Sequence, residues 1–485
     1  MHRRLCLTAL LAISAGTHLL LLGGKSLWAD EAYTAGLLDR SFPEAASLFS
    51  RGTPHPCGGF FLTWSSASLF GRSEFGMRAL VSLLTASSVI PVFLFLRRHL
   101  SRGAFWGALC WAASPWAVSL GQEAWVYGPL AALTAWAIHL ADLSWRGSKA
   151  ALAAFLPIAV AGFLVQHIFV FTAAAALGLY LTIPRGKRAS PAAPLLASAV
   201  MLASFLAVFL PFTGQFEARA ERMAAAGVAG IDFGRVLSGA AGVFSRLWVG
   251  GLIPESLRGA LASRVSTAVL LAAVALQTPA VLHVLLSRRT LDRGIRIWLG
   301  AVLLIPFLIF LRDFPTPRQF PLAALALAFS AAALASRMRL YGPLSAAFCI
   351  ALLVPYYNLR SFPYHRSDWR GAVALVESRA GSDDLVMLLG AKTALQAWDF
   401  YSRSSLDRIA PECRDPYLGD REASPRLDPA PIADSAAAEG RTVWFVQDYW
   451  GGAPVEAWLG DLRIRSDTTL GTVRVVQAVS DETTP

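Results

Sequence analysis

MHRRLCLTALLAISAGTHLLLLGGKSLWADEAYT, residues 1–34, sets the terms on which the rest of the chain is read. Arg3 and Arg4 precede an apolar run from Leu5 to Leu22, and an acidic, aromatic stretch follows at Trp28–Thr34. A signal peptide also pairs a basic start with an apolar run, but its apolar region spans only about 7–15 residues. This run is longer, and it lacks a convincing small-x-small cleavage site before Lys25. We expect an uncleaved first membrane helix, with Arg3 and Arg4 on the cytoplasmic side and Trp28–Thr34 at the opposite surface.

The pattern recurs along the chain. A spanning helix takes about 20 apolar residues, and candidate spans lie near 5–24, 76–96, 103–119, 125–143, 150–165, 167–183, 191–212, 265–286, 295–311, 320–336 and 340–356. These runs do not alternate as the strands of a membrane barrel must, so the spans are expected to be helices. Every second connection is basic: Arg97-Arg98 with Arg102, Arg146 with Lys149, Arg185-Lys187-Arg188, Arg288-Arg289 with Arg293, and Arg337 with Arg339. Placing all of them in the cytoplasm satisfies the positive-inside rule without skipping a span. It puts 25–75, 120–124, 213–262, 312–319 and everything after 357 outside. The scheme is most exposed at 150–183, where one broken helix in place of two would invert every later loop.

Composition agrees. The 485 residues are 55% hydrophobic and only 15% charged, with mean hydropathy +0.50, whereas soluble domains carry about a quarter charged residues. The deficit ends near residue 357. The net charge of +11 sits in the short clusters between apolar runs, where it orients spans rather than binding a polyanion, and no nucleic-acid partner is expected. The expected fold is therefore a polytopic α-helical membrane protein of about eleven transmembrane helices over 1–356, with 25–75 as a long outer loop. A small α/β extracytoplasmic domain over 357–485 completes it. In that tail, Asp368–Arg379 and Lys392–Tyr401 read as helices, the first with Ser367 as N-cap. Leu385–Leu389 and Val443–Val446 read as buried strands, and 411–440 as a loop. The GAKT at Gly390 lacks the spacing of a phosphate loop. Of the five cysteines, Cys6, Cys110 and Cys349 fall in apolar runs, Cys57 and Cys413 would both lie outside, and no zinc spacing occurs.

Polar residues gather at the outward turns. Asp30 and Glu31 follow the first span, with His55 between Pro54 and Pro56 in the same loop. Glu74 and Arg78 stand at the mouth of the second span, and Gln122, Glu123 and Tyr127 in the next tight turn. Gln166-His167, then Arg312-Asp313 and Pro317-Arg318, occupy the last outward turns. A carboxylate at a membrane boundary can take a proton from an acceptor hydroxyl or amine. If the leaving group of the other substrate is a lipid phosphate, cations at the same boundary are needed to hold it. Each residue also has a structural reading: Asp30-Glu31 as a helix start, Glu74 and Arg78 as an i,i+4 pair, His167 as a packed histidine, and Trp28 and Tyr33 as interface aromatics.

Taken in order, the motifs resemble the membrane glycosyltransferases of the GT-C class. The resemblance is to the bacterial branch related to protein O-mannosyltransferases, lipid A aminoarabinose transferases and Rgt-type galacturonosyltransferases. It is carried by WADEAYT at 28–34, PHP at 54–56, FGRSEFGMR at 70–78, ASPWAVSLGQEAWVYGPLA at 113–131, QH at 166–167, PRQFPLAALA at 317–326 and SDWRGAVALVES at 367–378. It implies inverting transfer from a polyprenyl-phosphate sugar to a lipid, glycan or protein acceptor on the outer face of the inner (cytoplasmic) membrane. It implies Asp30 as catalytic base with Glu31 beside it, and His55, Arg78, His167 and Arg318 on the donor phosphate. Glu123, Gln122 and Tyr127 fall to the acceptor or to support. No metal ligand set is implied, although some members of the class use a divalent ion.

Two departures stand out. Where relatives often read HPPLYY, this chain has His55-Pro56-Cys57-Gly58-Gly59-Phe60, which suggests a more flexible loop lacking a tyrosine. Where they often read QEARMY, it has Gln122-Glu123-Ala124-Trp125-Val126-Tyr127, which loses an arginine. The rival readings are a transporter or flippase of lipid-linked glycans, a scaffold whose tail is the working part, and a glycan polymerase or ligase. Transport would favour ionisable residues near the span centres, and the predicted centres are nearly free of them.

Overall fold

A helix apolar on every face needs an apolar surround on every side; here some such helices are packed within protein and others leave apolar side chains exposed. The computed structural model describes residues 2–53, 55–214, 217, 247, 260–286, 291–310, 317–357, 367–389, 393–411, 428–448 and 454–480. Pro54, Arg288-Arg289, Arg312-Asp313, Gly390–Lys392, Cys413 and most of the 213–262 connection lie outside the described residues. The chain forms two compact units. One comprises 1–20, 54–63 and 78–357, the other 21–53, 64–77 and 358–485.

In chain order the early helices are α1 (His2–Leu19), α2 (Ala29–Ala35), α3 (Phe42–Gly52), α4 (Gly58–Phe70), α5 (Glu74–Ser87) and α6 (Val89–His99). There follow α7 (Ala104–Ala113), α8 (Pro115–Gly121), α9 (Tyr127–Ser144), α10 (Lys149–Val165), α11 (Phe169–Thr182) and α12 (Ala192–Phe209). Then come α13 (Ala260–Leu286), α14 (Arg293–Phe310), α15 (Pro321–Ala335) and α16 (Tyr341–Tyr357).

In the first unit α15 is central, buried from Pro321 to Leu334. Helix α7 lies against it through small residues. A Cβ on Gly107 would come within 2.5 Å of the Ala328 carbonyl oxygen and 2.7 Å of the Ala332 Cβ, the close backbone approach that small-xxx-small pairs permit between apolar helices. At the periphery the side chains are apolar yet uncovered: Leu181 is 72% exposed, Leu195 68% and Val354 71%. Among the described residues, Glu74–His99 and Ala192–Phe212 are long and apolar enough to cross a bilayer, and seven further apolar helices have 10–17 residues.

The expected spans are interrupted where the sequence gives a reason. The run 103–119 divides into α7 and α8 at Ser114-Pro115. Pro115 cannot donate within a continuing helix, and the Ser114 hydroxyl instead caps α8 by accepting the Ala117 N–H at 3.1 Å. The run 76–96 carries a break at Ser88, three residues before Pro91. Residues 149–182 form two helices, separated at Gln166–Ile168.

The second unit holds the tail sheet: β1 (Leu385–Leu389), β2 (Asp407–Ile409), β3 (Val443–Asp448), β4 (Leu462–Leu470) and β5 (Val473–Ser480), in the order β2-β1-β3-β5-β4. β1 pairs in parallel with β2 and β3, while β5 is antiparallel to β3 and β4. β1 is buried along its length, as a strand covered on both faces should be. Helices α17 (Trp369–Glu377) and α18 (Ala394–Tyr401) belong to this unit, as does α19 (Pro429–Ala438). Val386 and Leu388 point to a core with Trp369, Trp398 and Trp444. Leu385, Met387 and Leu389 point to a second core with Ala433, Ala436 and Phe445.

Three tail expectations change. The cap of α17 is Asp368, whose carboxylate accepts the Gly371 N–H at 3.0 Å, while the expected Ser367 bonds Asp448 and Thr472. Part of the expected 411–440 loop is α19, started by Asp428 as N-cap and Pro429 at N1. The second helix begins at Ala394 rather than Lys392. The larger finding is Ala32, within the WADEAYT motif, which is fully buried in the same core as Trp369 and Trp398. The segment around Ala32 and the tail thus share one hydrophobic core.

Candidate active site

The residues singled out from the sequence divide between the units. His55, Arg78, Gln122, Glu123, Tyr127, His167 and Arg318 belong to the first, Asp30 and Glu31 to the second.

The first-unit group is assembled around the turn that joins α8 to α9. Gln122 braces it: its side-chain amide donates to the carbonyls of His18 at 3.0 Å and Leu20 at 2.8 Å, and accepts from Tyr356 O–H at 3.0 Å. Those bonds tie the turn to the end of α1 and to α16. One residue on, buried Glu123 accepts from Arg318 Nη1 at 3.4 Å. The Arg318 guanidinium also lies 5.5 Å over the Tyr127 ring centroid, a cation–π placement. The carboxylate side chain is 9% exposed and the guanidinium side chain 32%. A buried acid therefore orients a cation that still reaches the surface of the unit. This arginine comes from the PRQ segment, 195 positions away in the chain.

His55 packs edge-on against Trp125 at 5.5 Å and Tyr127 at 6.2 Å between ring centroids. Its Nδ1 lies 3.0 Å from Gln166 Nε2. The Gln166 amide is oriented by its oxygen, which accepts the His167 backbone N–H at 2.9 Å. The amide nitrogen must then donate, so His55 Nδ1 accepts and the proton of the neutral ring sits on Nε2. This is the tautomer that a neutral donor to an anion requires at Nε2.

The glycines after His55 do not loosen the loop as expected. A Cβ on Gly58 would meet the Leu164 carbonyl oxygen at 2.6 Å, and one on Gly59 the Val126 Cγ1 at 2.5 Å. They are there because the start of α4 runs against the end of α10 and against the Glu123–Tyr127 turn, with no room for a side chain. His167 is buried, its ring edge-on to Phe209 at 5.7 Å and Phe212 at 4.9 Å between centroids. Arg78 is 1% exposed.

In the second unit, Asp30 and Glu31 share the first turn of α2 but not a role. Glu31 is fully buried, and its Oε2 accepts the Trp28 N–H at 3.3 Å, closing the start of the helix from the N3 position. Asp30 is half-buried. Glu74 turns to the tail, accepting from Arg370 and from the Tyr401 hydroxyl at 2.9 Å. Among the described residues no group of three or more His, Cys, Asp or Glu could hold a metal ion.

Gln166, Trp125, Tyr356, Arg370 and Tyr401 were not assigned to the site from the sequence. Gln166 was visible only as half of the QH pair. Tyr356 and Tyr401 had no signal beyond a polar aromatic at the end of an apolar helix.

Residues 54–212 match the dolichyl-phosphate-mannose-protein mannosyltransferase family. No curated protein matches the chain as a whole sequence. Among solved structures, ArnT from Cupriavidus metallidurans in the apo state aligns over 100% of both chains at 14% identity and TM-score 0.45. The same protein bound to undecaprenyl phosphate aligns over 99% of both at 14% identity and TM-score 0.42. The S. cerevisiae protein O-mannosyltransferase Pmt1-Pmt2 complex bound to the sugar donor aligns over 45% of this chain and 34% of its own at 19% identity and TM-score 0.33. The family match spans about a third of the chain and takes in the His55, Arg78, Gln122–Tyr127 and Gln166-His167 motifs; over that stretch the chain is similar to the mannosyltransferase family.

Proposed function

We propose that this protein is an inverting transferase that moves one sugar from a polyprenyl-phosphate carrier to a hydroxyl or amine of a lipid, glycan or protein. The acceptor is met at the outer face of the cytoplasmic membrane, the side to which the alternation of basic loops assigns residues 25–75 and the tail. The observation that carries the reading is the convergence of His55, Gln166, Trp125, Tyr127, Glu123 and Arg318 from well-separated segments of one unit.

The chemistry needs two things. The leaving phosphate gains negative charge as its bond to the anomeric carbon breaks, so a fixed cation and neutral donors aimed at it lower the barrier. Arg318 is the cation, held by Glu123 and Tyr127, and His55 offers Nε2–H; Arg78 and His167 complete the phosphate-binding set. The acceptor must lose a proton as its oxygen or nitrogen bonds to the anomeric carbon, and Asp30 takes that proton. The sugar–phosphate bond breaks as the new bond forms on the opposite face, giving glycosylated acceptor with inverted configuration and free polyprenyl phosphate. Glu31 supports Asp30 by holding the start of α2 rather than by touching substrate.

The test is transfer by the purified full-length protein from a panel of labelled polyprenyl-phosphate sugars, with the product's anomeric configuration read by NMR. Inverted product with any donor supports the reading. Retained configuration overturns the single-displacement step, and lipid-linked glycan movement across vesicles without any transfer favours the transporter.

A further inference from the structure

The second unit contains a hydrogen-bonded clamp on residues 23–28, the strap that leads into α2. Tyr401, at the last turn of α18, is its centre. Its phenolic oxygen accepts the Leu27 N–H at 2.7 Å and the Ser26 hydroxyl at 3.2 Å, and its proton goes to Glu74 Oε1 at 2.9 Å. One donor and two acceptor positions are thereby all used. Arg370, in the first turn of α17, closes the ring. Its guanidinium donates to Glu74 Oε1 and, at 3.0 Å, to the Gly23 carbonyl, and its backbone N–H donates to Ser26 Oγ at 3.2 Å. Burial, and then the Glu74 carboxylate, push the Tyr401 phenol above its ordinary range, so it stays protonated as the donor this network needs.

We propose that Tyr401 is a positioning residue for sugar transfer, fixing through Leu27 and Ser26 the register from which α2 presents Asp30. The inference rests on Asp30 being the base. Asp30 lies between two anchors: the strap at Leu27, three residues before it, and Ala32, two residues after it, seated in the core with Trp369 and Trp398. Without the first anchor the strap keeps its Arg370 bonds at Gly23 and Ser26 and the Glu31–Trp28 bond but loses its hold at Leu27, and the first turn, which carries Asp30, frays more readily. A base displaced by about 1 Å loses much of its effect on rate without any change in how the donor binds. The tail therefore has a catalytic purpose that its distance in sequence from Asp30 conceals.

Tyr401→Phe in the full-length protein removes the hydroxyl and keeps the ring. The expected result is faster amide exchange at residues 26–31 and a fall in kcat of about tenfold or more, with donor KM within about twofold of wild type. Arg370→Lys, which loses the bond to Gly23 but keeps a charge beside Glu74, should fall between Tyr401→Phe and wild type on both measures. It also serves as the readout should Tyr401→Phe not fold. Unchanged exchange, or a loss confined to KM, overturns the proposal. If the wild-type protein transfers no sugar, the transferase reading has failed. Exchange then decides the clamp alone: acceleration in Tyr401→Phe upholds it and no change overturns it.

Discussion

The side-chain amide of Gln166 donates to His55 Nδ1 at 3.0 Å while its oxygen accepts the next residue's backbone N–H. A single amide therefore sets which nitrogen of His55 carries the proton. Gln166→Glu keeps the size but replaces the donor by an acceptor, and the ring should respond by moving its proton to Nδ1. Loss of the Nε2–H should reduce turnover by about tenfold or more. Because the two residues act as a unit, Gln166→Glu combined with His55→Ala should cost little more than His55→Ala alone. A double-mutant cycle in kcat/KM measures this, and additive losses would separate the two residues.

Arg318 is held by Glu123 and Tyr127, so its charge and its orientation can be tested apart. Arg318→Ala should lower turnover by about 100-fold or more, the scale for removing one preorganised stabiliser of developing charge. Arg318→Lys retains the charge but not the planar fork, and should recover only part of that loss. Glu123→Gln should leave the arginine in place but less firmly oriented, with a smaller effect than Arg318→Ala. Steady-state kinetics with one donor at saturating acceptor gives the ranking; equal effects of all three substitutions would argue against a phosphate role for the guanidinium.

The helical, apolar character of the first unit was legible because periodic burial in lipid or protein leaves long runs without charge. What could not be read was where those runs break, since Ser114-Pro115 and Ser88 with Pro91 are punctuation inside otherwise continuous apolar text. The two central tail strands were legible from their unbroken apolar content. The β4–β5 hairpin was not, because β4 has only Leu462 buried and carries Arg463, Arg465 and Asp467. The site motifs were visible as types, but their partners were not. Arg318 meets Glu123 across 195 positions and Tyr401 meets Leu27 across 374, and nothing in local pattern encodes either distance. The glycines at 58 and 59 read as flexibility in one dimension and are close packing in three. The shared core also changes what a tail deletion means. Removing 360–485 would uncover Ala32 beside the proposed base, so loss of activity on deletion would not identify the tail as a scaffold.

Asp30 and Glu31 are adjacent carboxylates with different surroundings, and their substitutions should differ in kind. Asp30→Asn should abolish transfer and leave the melting temperature unchanged, because the half-buried side chain is nearly isosteric with its replacement. Glu31→Ala strips the Trp28 N–H of its acceptor at the start of α2 and should cost about 1 kcal/mol of stability, with measurable transfer remaining. Thermal unfolding in detergent, run beside the transfer assay, separates them. Retained turnover in Asp30→Asn would remove it from the role of base.

The tail also carries a pH-sensitive joint. Glu377 Oε1 accepts from the Ser402 hydroxyl at 2.7 Å and from the backbone N–H groups of Arg403 at 2.9 Å and Ser404 at 3.0 Å, fixing the exit from α18. Partial burial works against the charged form, but these donors, together with the Ser404 hydroxyl, outweigh it and hold the carboxyl below its ordinary range. A depressed folded-state pKa means that the stabilisation is complete above the unfolded value of about 4.3 and is lost as the pH falls through the folded value. Protection of the Arg403 and Ser404 amides, corrected for intrinsic exchange, should therefore decline between about pH 5 and pH 3. In Glu377→Gln, whose amide oxygen does not titrate, protection should start lower and stay level across the same interval. A decline of equal size in Glu377→Gln would assign the acid sensitivity to another carboxylate of the unit.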